Sequence, residues 1–322
     1  MRLDQGHETS EAITVHDLTK KYHGFTAVDH IFFTVHKGDI FGFLGPNGAG
    51  KTTTIRMLTT LLKPSAGTAA LLGNDILRSP LEVKKHIGFM PDVAGFYSEM
   101  KAEDILSFYA EFYHISLEDR KRKIQNLFDT LQLNGFEKKK VKTYSRGMKQ
   151  KLAFASSLLN DPEILILDEP TVGLDPPTIH FFRTLMRQLN KQGVTIFLSS
   201  HILSEVEALC NRVCIINKGK IVAVDRIDTL SARVSQSRNR VVTITFEQMT
   251  DEALNAVRAL PRVISITQKE NTIVIELQQG TSIIPEINRT LVHHNINVTG
   301  IASKEADLED IFLSLIGGTS HE

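Results

Sequence analysis

Ile40-Phe41-Gly42-Phe43-Leu44-Gly45-Pro46-Asn47-Gly48-Ala49-Gly50-Lys51-Thr52-Thr53-Thr54-Ile55-Arg56-Met57-Leu58 decides the fold of this chain. Its first five residues are apolar and bounded by glycine, the mark of a short buried strand. Gly45–Thr52 then satisfies the spacing GxxxxGK[ST] in full. Glycines let the backbone curl until successive N–H groups face one anion, and the following helix N-terminus adds partial positive charge. Lys51 supplies a mobile cation for the outer phosphates, and Thr52, followed by Thr53, offers a hydroxyl to Mg²⁺. The helix is expected to run to about Leu62, where Pro64 stops it.

Outward from this loop, the apolar run Ile164-Leu165-Ile166-Leu167 ends in Asp168-Glu169. A carboxylate at the C-terminal end of a buried strand can reach the Mg²⁺ of a nucleotide on the neighbouring loop, and the second is placed to polarise a water. Further apolar strands, among them Thr195-Ile196-Phe197-Leu198, alternate with helical patterns. This predicts an α/β core with a mainly parallel sheet. Strands are expected at Ile13–Tyr22 and Ile31–Val35, and a hairpin over Cys214–Val224 closes the domain. Between Lys101 and Leu133, Ile105, Phe108, Tyr109, Phe112 and Tyr113 recur at helical spacing, as do Ile124, Leu127, Phe128 and Leu131. They predict a helical insert, with most of the aromatic side chains of Phe108–Tyr113 in its core and Lys138-Lys139-Lys140 as a solvated loop.

A linker helix is expected from Arg226 to about Val234, and the polar stretch Ser235–Arg240 reads as a boundary. After it come a strand (Val241–Phe246), a helix (Thr250–Leu260), two strands (Val263–Gln268, Thr272–Leu277), a helix (Ile284–His293) and a strand (Ile296–Ala302). That order, βαββαβ, predicts a small α+β domain of ferredoxin-like type. A final amphipathic segment carries Leu308, Ile311, Phe312 and Leu315 on one face.

The 322 residues favour two domains over one, and 42% hydrophobic with 23% charged residues describes a soluble globular chain. Lys plus Arg and Asp plus Glu both number 37, so the net charge gives no reason to expect nucleic acid as a partner. No stretch approaches the roughly 18–20 apolar residues that span a bilayer. The start of the chain is polar and lacks the apolar core of a signal peptide. These features predict a cytosolic protein that meets a membrane only through a partner. Cys210 and Cys214 have neither redox nor zinc spacing and read as small core thiols.

Tyr144-Ser145-Arg146-Gly147-Met148-Lys149-Gln150, which opens a helical run before Asp168, resembles the LSGGQ signature of ATP-binding cassette proteins in a variant form. Ser145 is a good N-cap, so this is a second helix start suited to anions. His201 looks like the switch histidine of that family, and Gly173-Leu174-Asp175 resembles its dimer-contact loop. Tyr22 stands where the family places an aromatic that stacks on adenine, with core packing of the ring as the alternative. The resemblance covers about residues 12–225 and implies a phosphate-loop nucleotide-binding domain with a mixed-sheet core and a helical subdomain at about 96–160. Residues 236–322, with the ending Asp307–Phe312, look like the accessory domain of daunorubicin-resistance-type exporter ATPases.

The resemblance implies a mechanism. Glu169 and His201 serve hydrolysis; Tyr22, Gly45–Thr53, Ser145, Gly147 and Met148 bind ATP; Thr52, Asp168 and Asp92 attend the Mg²⁺. Asp92 stands where the family usually carries Gln or Glu; it is shorter, and when ionised it cannot donate a hydrogen bond. Two such chains, a homodimer or a pair of paralogues, would join head to tail with each ATP between one phosphate loop and the other signature. A separate integral membrane permease would dock on the helical insert, with Asp92 at its hinge. A second reading is a soluble cassette ATPase acting on nucleic acid or ribosomes. Such proteins often carry two cassettes, a long coiled coil or zinc-binding cysteines, and this sequence shows none of these.

Overall fold

A computed structural model describes residues 10–230, 240–258, 260, 263–277, 284–294 and 296–304. The chain divides into two compact units, Met1–Arg226 and Ile227–Glu322.

The first unit contains two sheets. β1 (Glu11–Tyr22) and β2 (Phe25–His36) form a long hairpin, joined by β4 (Ala66–Leu71) and β5 (Asn74–Asp75) in the antiparallel order β2-β1-β4-β5. β3 (Ile40–Leu44), β6 (Ile87–Met90), β7 (Ile164–Asp168), β8 (Thr195–Ser200), β9 (Arg212–Asn217) and β10 (Lys220–Arg226) form a six-stranded sheet ordered β10-β9-β3-β8-β7-β6. Its pairs are parallel except the β9–β10 hairpin at one edge, which makes the sheet mixed. β3, β7 and β8 are buried along their whole length, so they read as unbroken apolar runs rather than alternating ones. Phe33 of β2 stacks on Phe41 and Phe197 at centroid distances of 5.8 and 6.1 Å, closing the hairpin sheet over the parallel one.

Helix α1 (Lys51–Leu58) ends four residues before the expected Leu62. Thr59 Oγ1 donates back to the carbonyl of Ile55, and Thr60 turns into the left-handed region at φ 60°, which closes the helix. β4, β5 and α2 (Pro80–His86) were not anticipated. Ala66-Gly67-Thr68-Ala69-Ala70 has no apolar alternation, and its pairing with β1 makes it a strand.

The insert contains α3 (Ala102–Phe112) and α4 (Leu117–Thr130), followed by α5 (Arg146–Ser157). Its interior is Ile105, Leu106, Ala110, Ile124, Leu127 and Phe128. The aromatic run was expected mostly in this core, but Phe108, Phe112 and Tyr113 are 45%, 67% and 40% exposed. Leu106 and Ala110 lie one turn apart on α3 and take the inward face in their place. Helices α6 (Pro176–Lys191) and α7 (Leu203–Leu209) complete this unit. Cys210 and Cys214 are buried free thiols, and burial pushes both well above the ordinary thiol range.

In the second unit, β11 (Arg240–Phe246), α8 (Asp251–Arg258), β12 (Val263–Lys269), β13 (Thr272–Leu277), α9 (Ile284–His293) and β14 (Val298–Lys304) follow the order βαββαβ. The strands make one antiparallel sheet, β12-β13-β11-β14. Val242, Ile244, Phe246, Ile273, Ile275 and Leu277 alternate onto the face that packs with Ala253, Val257, Ile287 and Leu291 of the two helices. Arg226 ends β10, and residues 227–230 directly after it are helical, as the expected linker helix requires. Residues 231–239 of that segment, the ending Asp307–Phe312 and the amphipathic set Leu308, Ile311, Phe312 and Leu315 lie outside the described residues.

Candidate functional site

The phosphate loop between β3 and α1 is closely packed at two of its glycines, Gly45 and Gly50, which have no room for side chains. A Cβ on Gly45 would meet the carbonyl oxygen of Ile216 at 2.3 Å. Gly50, at φ 108°, would meet that of Ala27 at 2.5 Å and holds a conformation that L side chains rarely adopt. The loop is also propped from the β9–β10 turn, where the Gly219 N–H donates to the carbonyl of Ala49 at 3.0 Å.

Lys51 is buried, and its Nζ donates to the carbonyls of Gly45 (2.8 Å) and Pro46 (3.2 Å). The same atom lies 3.2 Å from Glu169 Oε1. On its other side, Glu169 Oε2 is 2.9 Å from His201 Nδ1. The carboxylate is thus gripped from both sides, on a backbone at φ 50° that a glutamate rarely occupies.

Ser199, at the end of β8, fixes the two acids relative to each other. Its Oγ donates to Asp168 Oδ1 at 2.6 Å and accepts the N–H of Glu169 at 3.0 Å. Asp168 also accepts a hydrogen bond from the side chain of Thr52. Burial raises the Asp168 carboxyl above the ordinary range, the bonds from Ser199 and Thr52 oppose the rise, and the charges of Glu169 and Asp92 add to it. A nearby cation would reverse that balance. Among the described residues no cluster of three His, Cys, Asp or Glu side chains could hold a metal alone. Mg²⁺ usually takes one or two protein oxygens with phosphate and water completing its shell, and the coupled oxygens of Thr52 and Asp168 fit that role.

A cleft of about 470 Å³ opens over this arrangement. It brings together Tyr22, Asn47, Gly48, Gly50, Lys51, Thr52, Thr53, Asp92, Glu169 and His201, the majority of the residues singled out from sequence, and adds Phe25, Ala27 and Val172. Tyr22 is 45% exposed and Phe25 62%, so neither ring is core packing. Gly45, Pro46, Ala49 and Asp168 do not line the cleft; Gly45 and Pro46 turn carbonyls to Lys51, and Ala49 and Asp168 are buried. Ser145, Gly147 and Met148 do not line it either. They open α5, where Ser145 Oγ accepts the N–H of Met148 at 3.2 Å. A larger cleft, about 1260 Å³, is a different one, a groove lined by Leu81, Phe89, Phe96, Phe112, Tyr113 and Lys85 among others.

Sequence reading missed Ser199 and Phe25. Ser199 stood in plain view beside His201, but its partners lie 30 and 31 residues away in the chain. Phe25 carried a signal only through its place opposite Tyr22 in the β1–β2 hairpin.

A phosphate loop before α1, two acids at the end of β7 and a helical insert opening on a capped signature define a cassette-type ATPase. The family model described as ABC transporter matches residues 28–172. The bacitracin transport ATP-binding protein BcrA of Bacillus licheniformis is 39% identical over 312 residues, covering 96% of this chain and 98% of that protein. The daunorubicin resistance ATP-binding protein DrrA3 of Streptomyces coeruleorubidus is 31% identical, covering 95% and 96%. A solved structure of the ATP-binding subunit of an ABC transporter superposes with TM-score 0.64 at 29% identity, over 69% of this chain and 93% of that one. The chain belongs to the ABC transporter family and is an ATP-binding, ATP-hydrolysing subunit of such a transporter, not a cassette acting on nucleic acid or ribosomes. Among the described residues no helix is long and apolar enough to cross a membrane.

Proposed function

We propose that this chain energises an exporter of antimicrobial compounds, working from the cytoplasmic side as a homodimer or paralogue pair docked on an integral membrane permease. Residues 12–225 form the ATP-binding domain and 236–322 an accessory domain. The observation that carries the reading is a half-built site. Lys51, Thr52, Glu169 and His201 converge on one cleft, with the buried Asp168 bonded to Thr52, while Ser145, Gly147 and Met148 present a capped helix start outside it. A second chain turned head to tail would bring its helix start to the exposed side of the nucleotide. The export reading leans on relatives named for bacitracin transport and daunorubicin resistance.

Each residue then has a task. Tyr22 stacks on the base. The amides of Gly45–Thr53 and the Lys51 ammonium hold the phosphates, so Lys51 must exchange its Gly45 and Pro46 carbonyls for phosphate oxygens. Thr52 and Asp168 would hold Mg²⁺, with Asp92 near Asp168, and the ion would supply positive charge to offset that of the phosphates. Glu169 takes a proton from the attacking water, and His201 holds its carboxylate in place and senses the γ-phosphate. The permease seats in the large groove, whose exposed rim includes Leu81, at 72%, and Phe112.

The test is reconstitution. Co-expressed with a multi-span permease, the chain should co-purify with it in membranes, and ATP turnover in vesicles should rise with a transported antibiotic. Isolation with ribosomes or DNA and no membrane protein would sink the proposal.

A further inference from the structure

The third signature position is glycine in the family pattern and Arg146 here, and the structure shows a use for it. Arg146 Nη2 donates to the carbonyl of Val172 at 2.8 Å. Its guanidinium lies flat on Gly173, where a Cβ would fall 2.4 Å from the guanidinium carbon and 2.6 Å from both terminal nitrogens. One turn further along α5, Gln150 Nε2 donates to the carbonyl of Pro170 at 3.0 Å. Both braces run from the signature to the loop that leaves Glu169, and Val172 of that loop lines the nucleotide cleft. Packing of α5 on α6 does not require them. Phe154 and Phe182, both fully buried, meet at 5.3 Å, and Lys151 sits 4.3 Å over the ring of Phe181.

We propose that Arg146 is a positioning residue that links the two nucleotide sites of the working pair. Its own helix start faces the nucleotide held by the partner, and its guanidinium holds the loop next to this chain's Glu169. A shift of the signature on meeting the partner's ATP is therefore passed directly to Val172 and Gly173, beside the water-activating acid. Arginine suits the task because its planar fork can lie on a glycine and hydrogen-bond a carbonyl at once, which a lysine cannot do. Glycine is required at 173 both for its φ of 71° and for the space the guanidinium occupies. The inference rests on the head-to-tail reading above.

The experiment measures ATP hydrolysis by the full chain against ATP concentration, with ADP affinity and melting temperature alongside, for wild type, Arg146→Ala, Gly173→Asn and the double variant. Asparagine tolerates the left-handed backbone while its Cβ displaces the guanidinium. Wild type should be cooperative, with a Hill coefficient approaching the number of sites. Each single variant should lower it toward unity and cut turnover about fivefold or more, the low end of site-to-site coupling. ADP affinity should stay within about twofold. The double variant should lose little beyond either single one, as expected of two residues in one contact. A non-cooperative wild type would overturn the paired-cassette reading and this proposal with it. A cooperative wild type with equally cooperative single variants overturns the role of Arg146 alone, as do additive losses in the double variant. If either single variant melts early, Arg146→Lys, which keeps the charge and a donor for Val172, must restore part of the cooperativity, or the role is refuted.

Discussion

Lys51 Nζ lies 3.2 Å from Glu169 Oε1, an ion pair between the lysine of the phosphate loop and the acid that follows β7. Both side chains are buried, and each answers the charge of the other. On the proposed function, an arriving triphosphate competes for Lys51 and frees Glu169 for chemistry. Lys51→Ala should weaken ATP binding about tenfold to a hundredfold, the worth of a charge-assisted contact. Titration with a fluorescent ATP analogue measures it, and unchanged affinity would remove Lys51 from the phosphates.

Glu169→Gln keeps the shape of the side chain and removes its basicity. Turnover should fall about 10²–10⁴-fold while ATP binding persists, and an ATP-dependent dimer should accumulate on gel filtration. Turnover within a factor of two of wild type would remove Glu169 from the base role.

Ser199→Ala breaks two bonds at once, to Asp168 and from the Glu169 amide. The buried groups left unpaired should cost about 1–3 kcal/mol of stability, and turnover should fall more than ATP affinity because the acid is misplaced. Parallel denaturant melts and steady-state kinetics decide it; a change in affinity alone would contradict the bridging role.

Tyr144 opens the signature, and its hydroxyl donates to the carbonyl of Phe136 at 2.8 Å. Burial, and then the charge of Glu137, push this phenol up to about 12 from the ordinary 10.0. The folded state therefore holds this proton more tightly than the unfolded chain. Its stabilising effect is complete below about pH 10 and is lost as pH rises through about 12. Tyr144→Phe should lower stability by about 1 kcal/mol at neutral pH and flatten the alkaline loss over that window. Urea unfolding of both forms at about pH 8 and about pH 11 tests the sign, and an equal alkaline loss in the variant would refute it.

Gly88 of β6 lies against α5 so closely that a Cβ would sit 2.0 Å from the carbonyl oxygen of Ser157. Backbone cannot rotate aside as a side chain can. Gly88→Ala should cost about 1–3 kcal/mol or more and lower the melting temperature, and an unchanged melt would show that the sheet and the helix part easily.

The phosphate loop, the buried strands carrying it and the acids, and the βαββαβ order of the second unit were legible in sequence. Each is written in local chemistry: glycines at a curl, unbroken apolar runs, a carboxylate at a strand end. Tertiary structure decided the rest. Ala66–Leu71 is a strand because β1 pairs with it, and the aromatics of Phe108–Tyr113 face outward because α3 presents Ile105, Leu106 and Ala110 to α4 instead. Ser199 bridges two acids, Lys51 grips Glu169, and Arg146 rests on Gly173. Those partners are between 27 and 118 residues apart in the chain, so no spacing rule links them. Only the folded sheet brings the ends of β3, β7 and β8 side by side, and that proximity turns separate motifs into one charged site.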